Sequence, residues 1–448
     1  MTNQISNSPA FLAKLSSIEK LINENKLKDA VDQLNLLGRT ASHDPRLFLL
    51  GSWLAHTAGN PAGALQAARK AHQLAPTWPV ASIRLSKTLE DQKLVDESVK
   101  MAQSAIEQAT QQSSLTVELL SSAAAIVDRQ NQRAMAMGWL ALAENMSPGD
   151  LTIRQQAAEL LYRGGDYDQS LKRLNDILEV EPHAVAALSF RMHLFFKLKQ
   201  MEKAALDAQA LAEIEPKNER HRFFLAYARG ENPGNQPAEV ISTLFDEYAE
   251  RFDQHLVVGL KYRLPKDAAE MIHQWHPDRK GDVLDLGCGT GLLVVCLGRL
   301  DGVLVGVDLS AEMIDKAVQH NVYDKFHVAD IVAAVKATPA DQYHVVVALE
   351  VFVYIGDLHE VVPNVLRILM PGGRFLFSCE AAEAGQNDFN LTESFRYTHQ
   401  AAYLQRLMDE AGFEEVTIED RSVRMHQDLP VKGLLVVGRK PGEVAAAQ

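Results

Sequence analysis

Residues 283–291 read VLDLGCGTG, an apolar strand that runs into a turn with three alternating glycines. The apolar run LLVVCLGRL at 292–300 follows and predicts a helix. Glycine allows a sharp turn and lets the backbone pass close to a ligand at the carboxyl end of a strand. The stretch therefore predicts a strand, turn and helix of a doubly wound sheet, with a ligand site at the glycines.

The acidic residues near this turn narrow the choice of ligand. A dinucleotide fingerprint would place its third glycine at 292, where the chain has Leu292, and the carboxylate of Asp285 would repel a pyrophosphate. Asp285 suits a cationic group instead. The next predicted strand, GVLVGVD, ends in Asp308, 17 residues after Gly291, where a carboxylate can accept both hydroxyls of a ribose. An ammonium and a ribose without a phosphate describe S-adenosylmethionine.

With these features, residues 283–313 resemble the cofactor half of the class I S-adenosylmethionine-dependent methyltransferases. The resemblance implies S-adenosylmethionine as cofactor and S-adenosylhomocysteine as product. No metal is expected, because Cys288, Cys296 and Cys379 form no CxxC pair. The residues that it assigns to the cofactor are Asp285, Gly287, Cys288, Gly289, Gly291, Asp308, Leu309, Met313, Asp330, Ile331 and Glu350.

Three of these assignments concern the adenine ring. Met313 is expected on the first turn of a helix that Ser310 caps, and the resemblance lays it against the adenine face, with ordinary helix packing as the alternative. Asp330 ends the predicted strand KFHVAD, and in the family an acidic residue here accepts a hydrogen bond from the adenine amino group. The backbone amide of Ile331 then meets a ring nitrogen.

Four residues are predicted around the methyl acceptor. Glu350 follows the predicted central strand, where it could hold the methionine moiety through water, orient the acceptor or take its proton. Arg396, Tyr397 and His399 resemble the family's arginine-tyrosine-x-histidine string at the rim of the acceptor pocket. His399 is expected in the first turn of a helix, whose dipole would keep it neutral and able to accept a proton near pH 7. A solvated helix start is the alternative.

The first half of the chain contains a repeat. Prolines at 148, 182 and 216 are spaced by one 34-residue period, which in helical sequence predicts stacked helix pairs. Each unit has a small residue twelve positions before its proline, at Ala136, Ser170 and Ala204, and a turn five positions earlier, at Asn131, Gly165 and Lys199. The pattern resembles the tetratricopeptide (TPR) family, although that family's early aromatic and Leu-Gly pair are mostly missing. It predicts about six repeats, an insertion near 113–116 and a closing helix at 219–230.

The segment before the glycine turn predicts a lid. Its string FDEYAERFDQHL resembles the segment that precedes the cofactor motif in bacterial methyltransferases with TPR repeats, where it closes over cofactor and acceptor. Tyr248, Phe252 and His255 are the expected lid residues, with core packing as the alternative.

These patterns together predict an α + α/β chain. A TPR-like helical repeat domain is expected over 1–230, a Pro/Gly linker over 231–237, and a doubly wound, seven-stranded Rossmann-like methyltransferase domain over 238–448.

Charge and composition exclude some partners. Residues 1–230 contain 26 Lys+Arg and 25 Asp+Glu, so 19 and 33 remain in the second half, a net charge of −14. Such an acidic half would repel a phosphate backbone, and nucleic acid is not expected as a partner. The sequence has no long apolar stretch and no basic leader, and its three cysteines form no CxxC pair, which predicts a cytoplasmic protein without a membrane partner.

The sequence therefore predicts methyl transfer from S-adenosylmethionine, with a protein or peptide acceptor recruited in the TPR groove. One alternative is a small-molecule or glycan O-methyltransferase whose repeats serve assembly, including assembly into a homo-oligomer. Another is a TPR scaffold that binds the cofactor without transferring the methyl group.

Overall fold

The computed structural model describes residues 8–248, 262–383, 385–426 and 429–442. The chain divides into two compact units, Met1–Leu194 and Phe195–Gln448. This division precedes the predicted linker, so the last repeat helices belong to the second unit. Within the described ranges, no helix is long and apolar enough to cross a membrane.

The first unit consists of helices that pack in successive pairs. They are α1 (Pro9–Asn23), α2 (Leu27–Gly38), α3 (Pro45–Thr57), α4 (Pro61–Leu74), α5 (Pro79–Asp91), α6 (Val95–Gln111), α7 (Val117–Arg129), α8 (Arg133–Met146), α9 (Leu151–Arg163) and α10 (Tyr167–Val180). Helix α11 (Val185–Lys197) crosses the division between the units.

The predicted 34-residue period is confirmed in the backbone. The turn within each helix pair contains one residue with positive φ, at Asn25, Gly59, Lys93, Asn131, Gly165 and Lys199. These positions are 34 residues apart except between Lys93 and Asn131, where the predicted insertion at 113–116 adds four. The small residues Ala136, Ser170 and Ala204 are fully buried, as close helix contact requires.

The second unit contains nine strands within its described residues. They are β1 (Val283–Leu286), β2 (Leu304–Asp308), β3 (Lys325–Val328), β4 (Tyr343–Ala348), β5 (Leu369–Ala381), β6 (Phe389–Leu391), β7 (Tyr397–His399), β8 (Glu414–His426) and β9 (Leu429–Arg439). The order β3-β2-β1-β4-β5 is parallel, β9 pairs antiparallel with β5, and β8 pairs with β9. This gives the predicted doubly wound sheet.

The predicted number of seven strands is wrong by the β6–β7 hairpin. Strand β7 pairs with the carboxyl end of β5, at Glu380 and Ala381, beyond the part of β5 that pairs with β4. The two short strands therefore extend the sheet at the edge where the parallel strands end. A helix was expected to begin at Arg396, but it begins only at Ala401.

Helices complete the second unit within its described residues. They are α12 (Met201–Ile214), α13 (Glu219–Ala228), α14 (Ala238–Tyr248), α15 (Leu264–Trp275), α16 (Leu292–Leu297), α17 (Ala311–Val318), α18 (Ile331–Ala337), α19 (Val361–Ile368) and α20 (Ala401–Ala411). Alternate residues of each central strand enter different apolar cores: Val346 packs with α18, α19 and α20, and Val345 packs with α15 and α16. Burial on both faces explains the continuous apolar runs of the parallel strands.

Candidate active site

The glycine turn joins β1 to α16 and adopts the conformation that its sequence predicts. Gly287, Gly289 and Gly291 have φ of +68°, +52° and +86°. A Cβ atom on Gly287 would lie 2.3 Å from a side-chain carbon of Val351, so no larger residue fits there. The turn thus brings bare backbone to the carboxyl ends of β1 and β4.

Asp308 fixes this turn to the end of β2. Its two carboxylate oxygens accept hydrogen bonds from the backbone N–H groups of Gly289, at 2.8 Å, and Ser310, at 2.9 Å. Burial raises the pKa of Asp308, and these N–H donors act against that rise. Each carboxylate oxygen keeps a second acceptor site, so the side chain can still accept from a ligand hydroxyl.

Asp285 lies nearby, within strand β1, and is 4% exposed. Burial raises its pKa to about 7, although a hydrogen bond from the Tyr323 hydroxyl at 2.5 Å favours the ionised form. A buried carboxylate without a cationic partner is costly, which suits a site that receives one from a ligand. Tyr323 was not predicted, because nothing in its local sequence marks the contact.

One cavity of about 1050 Å³, open space at its mouth included, gathers most of the predicted cofactor residues. Of the eleven, ten line it and Gly291 does not: Asp285, Gly287, Cys288, Gly289, Asp308, Leu309, Met313, Asp330, Ile331 and Glu350. Gly291 instead occupies the N-cap position of α16. The cavity lies at the carboxyl edge of the parallel strands, where ligands bind in open α/β sheets.

The three residues expected at an adenine ring line this cavity from the starts of two helices, α17 and α18. Ser310 caps α17 through the backbone N–H of Met313, at 3.1 Å, and Met313 is 1% exposed. Asp330 caps α18 by accepting from the N–H of Ala333 at 2.9 Å, and Ile331 is buried beside it. The cap of Asp330 uses one oxygen, so the other remains available to a donor.

Helix α14, which contains the first residues of the predicted lid segment, borders the cavity. Ile241 and Phe245 line it, and the ring of Phe245 packs edge-on against Tyr354 with 5.4 Å between centroids. The Ser310 hydroxyl donates to Asp246 of this helix at 2.6 Å. Tyr248 ends α14, but its side chain, like all of Phe252 and His255, lies outside the described residues.

At the other end of the cavity, Glu350 belongs to a buried ion-pair network with Glu380, Arg396 and Arg424. One oxygen of Glu350 accepts from Arg396 at 2.7 Å and from Arg424 at 2.8 Å. The same two arginines donate to one oxygen of Glu380 at 2.6 and 2.7 Å. Two carboxylates and two guanidinium groups balance in charge, which makes their burial tolerable.

The backbone of Glu350 is unusual for a residue with a side chain. Its φ is +58°, and its N–H donates to the Ser378 hydroxyl at 2.8 Å. Non-glycine residues rarely adopt this conformation, which persists where the surroundings hold it. The second carboxylate oxygen, Oε1, is buried and has no hydrogen-bond partner within the described part of the chain. A cavity-lining carboxylate thus keeps one acceptor available.

None of the residues of the RYTH string lines the cavity. Tyr397 is fully buried and donates from its hydroxyl to the carbonyl of Pro233 at 2.5 Å. His399 is also fully buried, and its Nε2 lies 3.1 Å from the Ile355 carbonyl and 3.0 Å from the Gly356 carbonyl. Arg396 alone reaches the site, through Glu350 and through the Tyr354 hydroxyl at 3.1 Å.

The expectation that a helix dipole keeps His399 neutral is therefore wrong. The residue lies in strand β7, so no helix dipole acts on it. Burial lowers its pKa to about 4, which keeps it neutral at pH 7. Because Nε2 faces two carbonyls it carries the proton, and Nδ1 has no partner among the described residues. A direct role in catalysis stays a prediction that this location does not favour.

The predicted linker is bonded to the loops around the cavity. The carbonyl of Gly234 accepts from the N–H groups of Gly356, at 2.7 Å, and Asp357, and the N–H of Gln236 donates to Tyr354. Asn235 and Gln236 line the cavity. Composition marks these residues as a linker, but their backbone groups find partners more than 100 positions away.

The parallel sheet, the glycine turn and the two carboxylates at neighbouring strand ends define a Rossmann-like ligand-binding domain. Residues 260–418 match a protein family described as a methyltransferase domain. The chain therefore contains a methyltransferase domain in its C-terminal part.

Two named relatives illustrate the match. The ubiquinone biosynthesis O-methyltransferase of Coxiella burnetii is 30% identical over 100 residues, which cover 21% of this chain and 42% of that protein. The mitochondrial ubiquinone biosynthesis O-methyltransferase of Mus musculus is 31% identical over 142 residues, covering 29% of this chain and 38% of that protein. The chain thus spans about two fifths of the length of these relatives.

Among solved structures, the chain is also similar to YrrB, described as a TPR protein with an unusual peptide-binding site. The identity is 16% and the TM-score 0.34, and the alignment covers 44% of this chain and 97% of that one.

Proposed function

We propose that this protein transfers a methyl group from S-adenosylmethionine to an acceptor bound beside Glu350. The observation that carries the proposal is the single cavity that Asp285, Asp308 and Glu350 line together with the glycine turn. The match to a methyltransferase domain and the positions of these carboxylates both support S-adenosylmethionine as the cofactor.

The residues present fit the cofactor group by group. Asp285 offers a buried carboxylate to the ammonium, and Asp308 offers two oxygens to the ribose hydroxyls. Met313 and Ile331 supply apolar walls for the adenine, and Asp330 lies beside them as an acceptor for its amino group. No phosphate-binding residues are needed, in agreement with the carboxylate at 285.

The bound cofactor would supply an activated methyl group on a sulfonium, and the protein would align the acceptor with it. Glu350 is suited to hold the acceptor, because it lines the cavity and its Oε1 has no hydrogen-bond partner among the described residues. Arg396 and Arg424 fix the other oxygen and with it the direction of Oε1. An acceptor N–H or O–H would donate to Oε1, which orients the attacking lone pair and can take the proton.

The acceptor that we propose is a protein or peptide delivered by the helical repeats. Stacked helix pairs present an extended groove suited to holding a peptide segment, and this array keeps its 34-residue period except at the four-residue insertion at 113–116. Such recruitment would leave the cavity to select only the side chain that is methylated.

A small hydroxylated aromatic acceptor is the second candidate. Phe245, Tyr262 and Tyr354 give the cavity aromatic walls, which would stack on a flat ring. The relatives named above are O-methyltransferases, which fits this acceptor.

One labelling experiment separates the two. The full-length protein is incubated with methyl-tritiated S-adenosylmethionine and cell lysate, and macromolecules are separated from small molecules. Label in protein supports the first acceptor, and label only in the small-molecule fraction supports the second. No transfer in either fraction, despite bound cofactor, would overturn the proposal of methyl transfer.

Deleting residues 1–184 is expected to leave cofactor affinity within about twofold of the full-length value. The deletion removes α1 to α10 and keeps α11 whole, and all the proposed cofactor residues lie in a unit with its own core. Transfer to a macromolecular acceptor should nevertheless fall at least tenfold, because the recruiting surface is gone. Calorimetry and the labelling assay measure the two effects, and unchanged transfer to protein would contradict recruitment by the repeats.

Cofactor affinity is expected to fall as the pH drops below about 7. Asp285 has a pKa of about 7 through burial, so it loses its charge there and no longer attracts the ammonium. The fall should approach tenfold per pH unit. Calorimetry between pH 5.5 and 8.5 measures this loss of affinity at low pH, the acid limb. The control is Asp285→Asn, which should bind the cofactor weakly and show no acid limb. Because Tyr323 favours the ionised form, Tyr323→Phe should move the limb to higher pH. An identical limb in Asp285→Asn would assign it elsewhere.

A further inference from the structure

The turn of the β6–β7 hairpin is held by an aromatic cluster. The ring of Phe395 packs against three rings from helices α11 and α13, with centroid distances of 5.7 Å to Phe196, 5.4 Å to Phe224 and 4.9 Å to Tyr227. Phe196 also packs on Tyr227 at 5.2 Å, so the four rings form one group, which we call the hairpin anchor. All four belong to the second compact unit.

The backbone at Phe395 shows that this position is constrained. Its φ is +57°, a conformation that a bulky residue adopts only where its surroundings hold it. The carbonyl of Phe395 accepts a hydrogen bond from the side-chain amide of Gln236, and Gln236 lines the cavity. The ring contacts and this hydrogen bond together fix the peptide unit between Phe395 and Arg396.

Arg396, the next residue, contacts side chains that line the cavity. Its guanidinium donates to Glu350 at 2.7 Å, to Glu380 at 2.6 Å and to the Tyr354 hydroxyl at 3.1 Å. Two consecutive residues thus connect the last repeat helices on one side with the carboxylate proposed to hold the acceptor on the other. Since a guanidinium pairs well only in a narrow geometry, a shift of the hairpin would loosen its contact with Glu350.

We propose that Phe395 is a positioning residue: through the hairpin anchor, the last repeat helices hold Arg396 on Glu350 and so set the acceptor end of the cavity. The inference rests on the proposed function and deepens it. It gives these helices a part in methyl transfer that is separate from recruiting a substrate. Among the described residues, no hydrogen bond, ion pair or ring contact joins the anchor to Asp285 or Asp308 at the cofactor end of the cavity. Cofactor binding should therefore be unaffected.

The test compares Phe395→Ala with two variants in the full-length protein. Phe395→Tyr keeps the ring, and Lys199→Ala removes an exposed ion pair of the same turn, the one with Glu393 at 2.8 Å. In Phe395→Ala we expect an affinity for S-adenosylmethionine within twofold of wild type and a rate of label transfer to lysate about tenfold lower at saturating cofactor. Phe395→Tyr and Lys199→Ala should both stay within twofold, because a surface ion pair contributes little.

Hydrogen exchange supplies a readout that needs no acceptor. Phe395→Ala should speed exchange in the segments 350–356 and 389–399 and leave the glycine turn at 285–291 unchanged. Phe196→Ala should slow transfer by a similar factor, and the double variant should be no slower than Phe395→Ala, since both changes break one contact. If Phe395→Ala does not fold, Tyr227→Leu removes a ring from the helix side and is expected to give the same pattern.

The outcomes separate the positioning role from the function. A Phe395→Ala variant that transfers label at the wild-type rate, or with unchanged exchange at 350–356, would overturn the role of Phe395 and leave methyl transfer standing. A variant that loses rate and cofactor affinity equally would also overturn it, because a general loss of structure explains that result. A wild-type protein that binds no S-adenosylmethionine would overturn the proposed function and this role with it.

Discussion

Replacing Arg396 by methionine is expected to lower the free energy of unfolding by about 3–5 kcal/mol, the cost typical of removing one partner from a buried ion pair. The side chains of the network are 10–19% exposed, so water can replace little of what the variant loses. Glu350 and Glu380 would then share Arg424 alone, which leaves the group with an uncompensated negative charge. Urea unfolding of the full-length protein, followed at the transition of the second unit, measures the change.

Arg421→Met is the matched control for this prediction. Arg421 lies on β8, like Arg424, but it pairs with Glu419 where the two side chains are 48% and 53% exposed. Removing an exposed pair should cost no more than about 1 kcal/mol. Equal losses in Arg396→Met and Arg421→Met would mean that the buried network does not stabilise the fold beyond an ordinary surface pair.

Local backbone requirements made part of the molecule predictable. The glycine turn was predictable because a left-handed backbone selects for glycine at 287, 289 and 291. A carboxylate on each side of such a turn indicates a binding site. The 34-residue period was predictable for a different reason, since each unit repeats a proline and a small residue that is buried between its helices. These signals require no knowledge of which segments meet in space.

The acceptor end of the site was only partly predictable, because its parts come from distant strands. Glu350 follows β4, Glu380 is the last residue but one of β5, Arg396 precedes β7 and Arg424 lies in β8. Glu380 is a charged residue in a largely apolar strand, a signal that could have marked it as a member of a buried pair. Arg424 lies in a strand with many charged residues, so its sequence gives no such signal. The sequence does not predict the β6–β7 hairpin that brings Arg396 to Glu380 and Arg424.

Pairing of the hairpin also explains the error at His399. The RYTH string was expected to start a helix, but residues 397–399 pair with β5 and β6, and this tertiary pairing overrides the local preference. The linker prediction met the same limit. Pro, Gly and Asn at 230–237 favour an irregular chain, which is found, yet its polar groups bond to residues such as Leu391 and Tyr397.

Replacing Asp308 by alanine is expected to weaken S-adenosylmethionine binding by about 10²–10⁴-fold. Two hydrogen bonds from ribose hydroxyls to a carboxylate, at roughly 1.5–3 kcal/mol each, give about 3–6 kcal/mol, and each 1.4 kcal/mol is a factor of ten. The variant also frees the N–H groups of Gly289 and Ser310, which Asp308 now holds. The glycine turn should therefore become less well ordered before the cofactor binds.

Asp282→Ala separates the lost ribose contact from the lost support of the sheet. Asp282 also accepts a backbone N–H, that of Val303 at 2.7 Å, but it precedes β1 at the opposite edge of the sheet and does not line the cavity. It should bind the cofactor within twofold of wild type. Asp308→Asn keeps one carbonyl oxygen and should fall between wild type and alanine. Calorimetry on variants with native circular dichroism decides the matter: an Asp308→Ala protein that is folded and binds with unchanged affinity would remove the ribose from Asp308, whereas a loss shared by Asp282→Ala would trace the effect to the sheet.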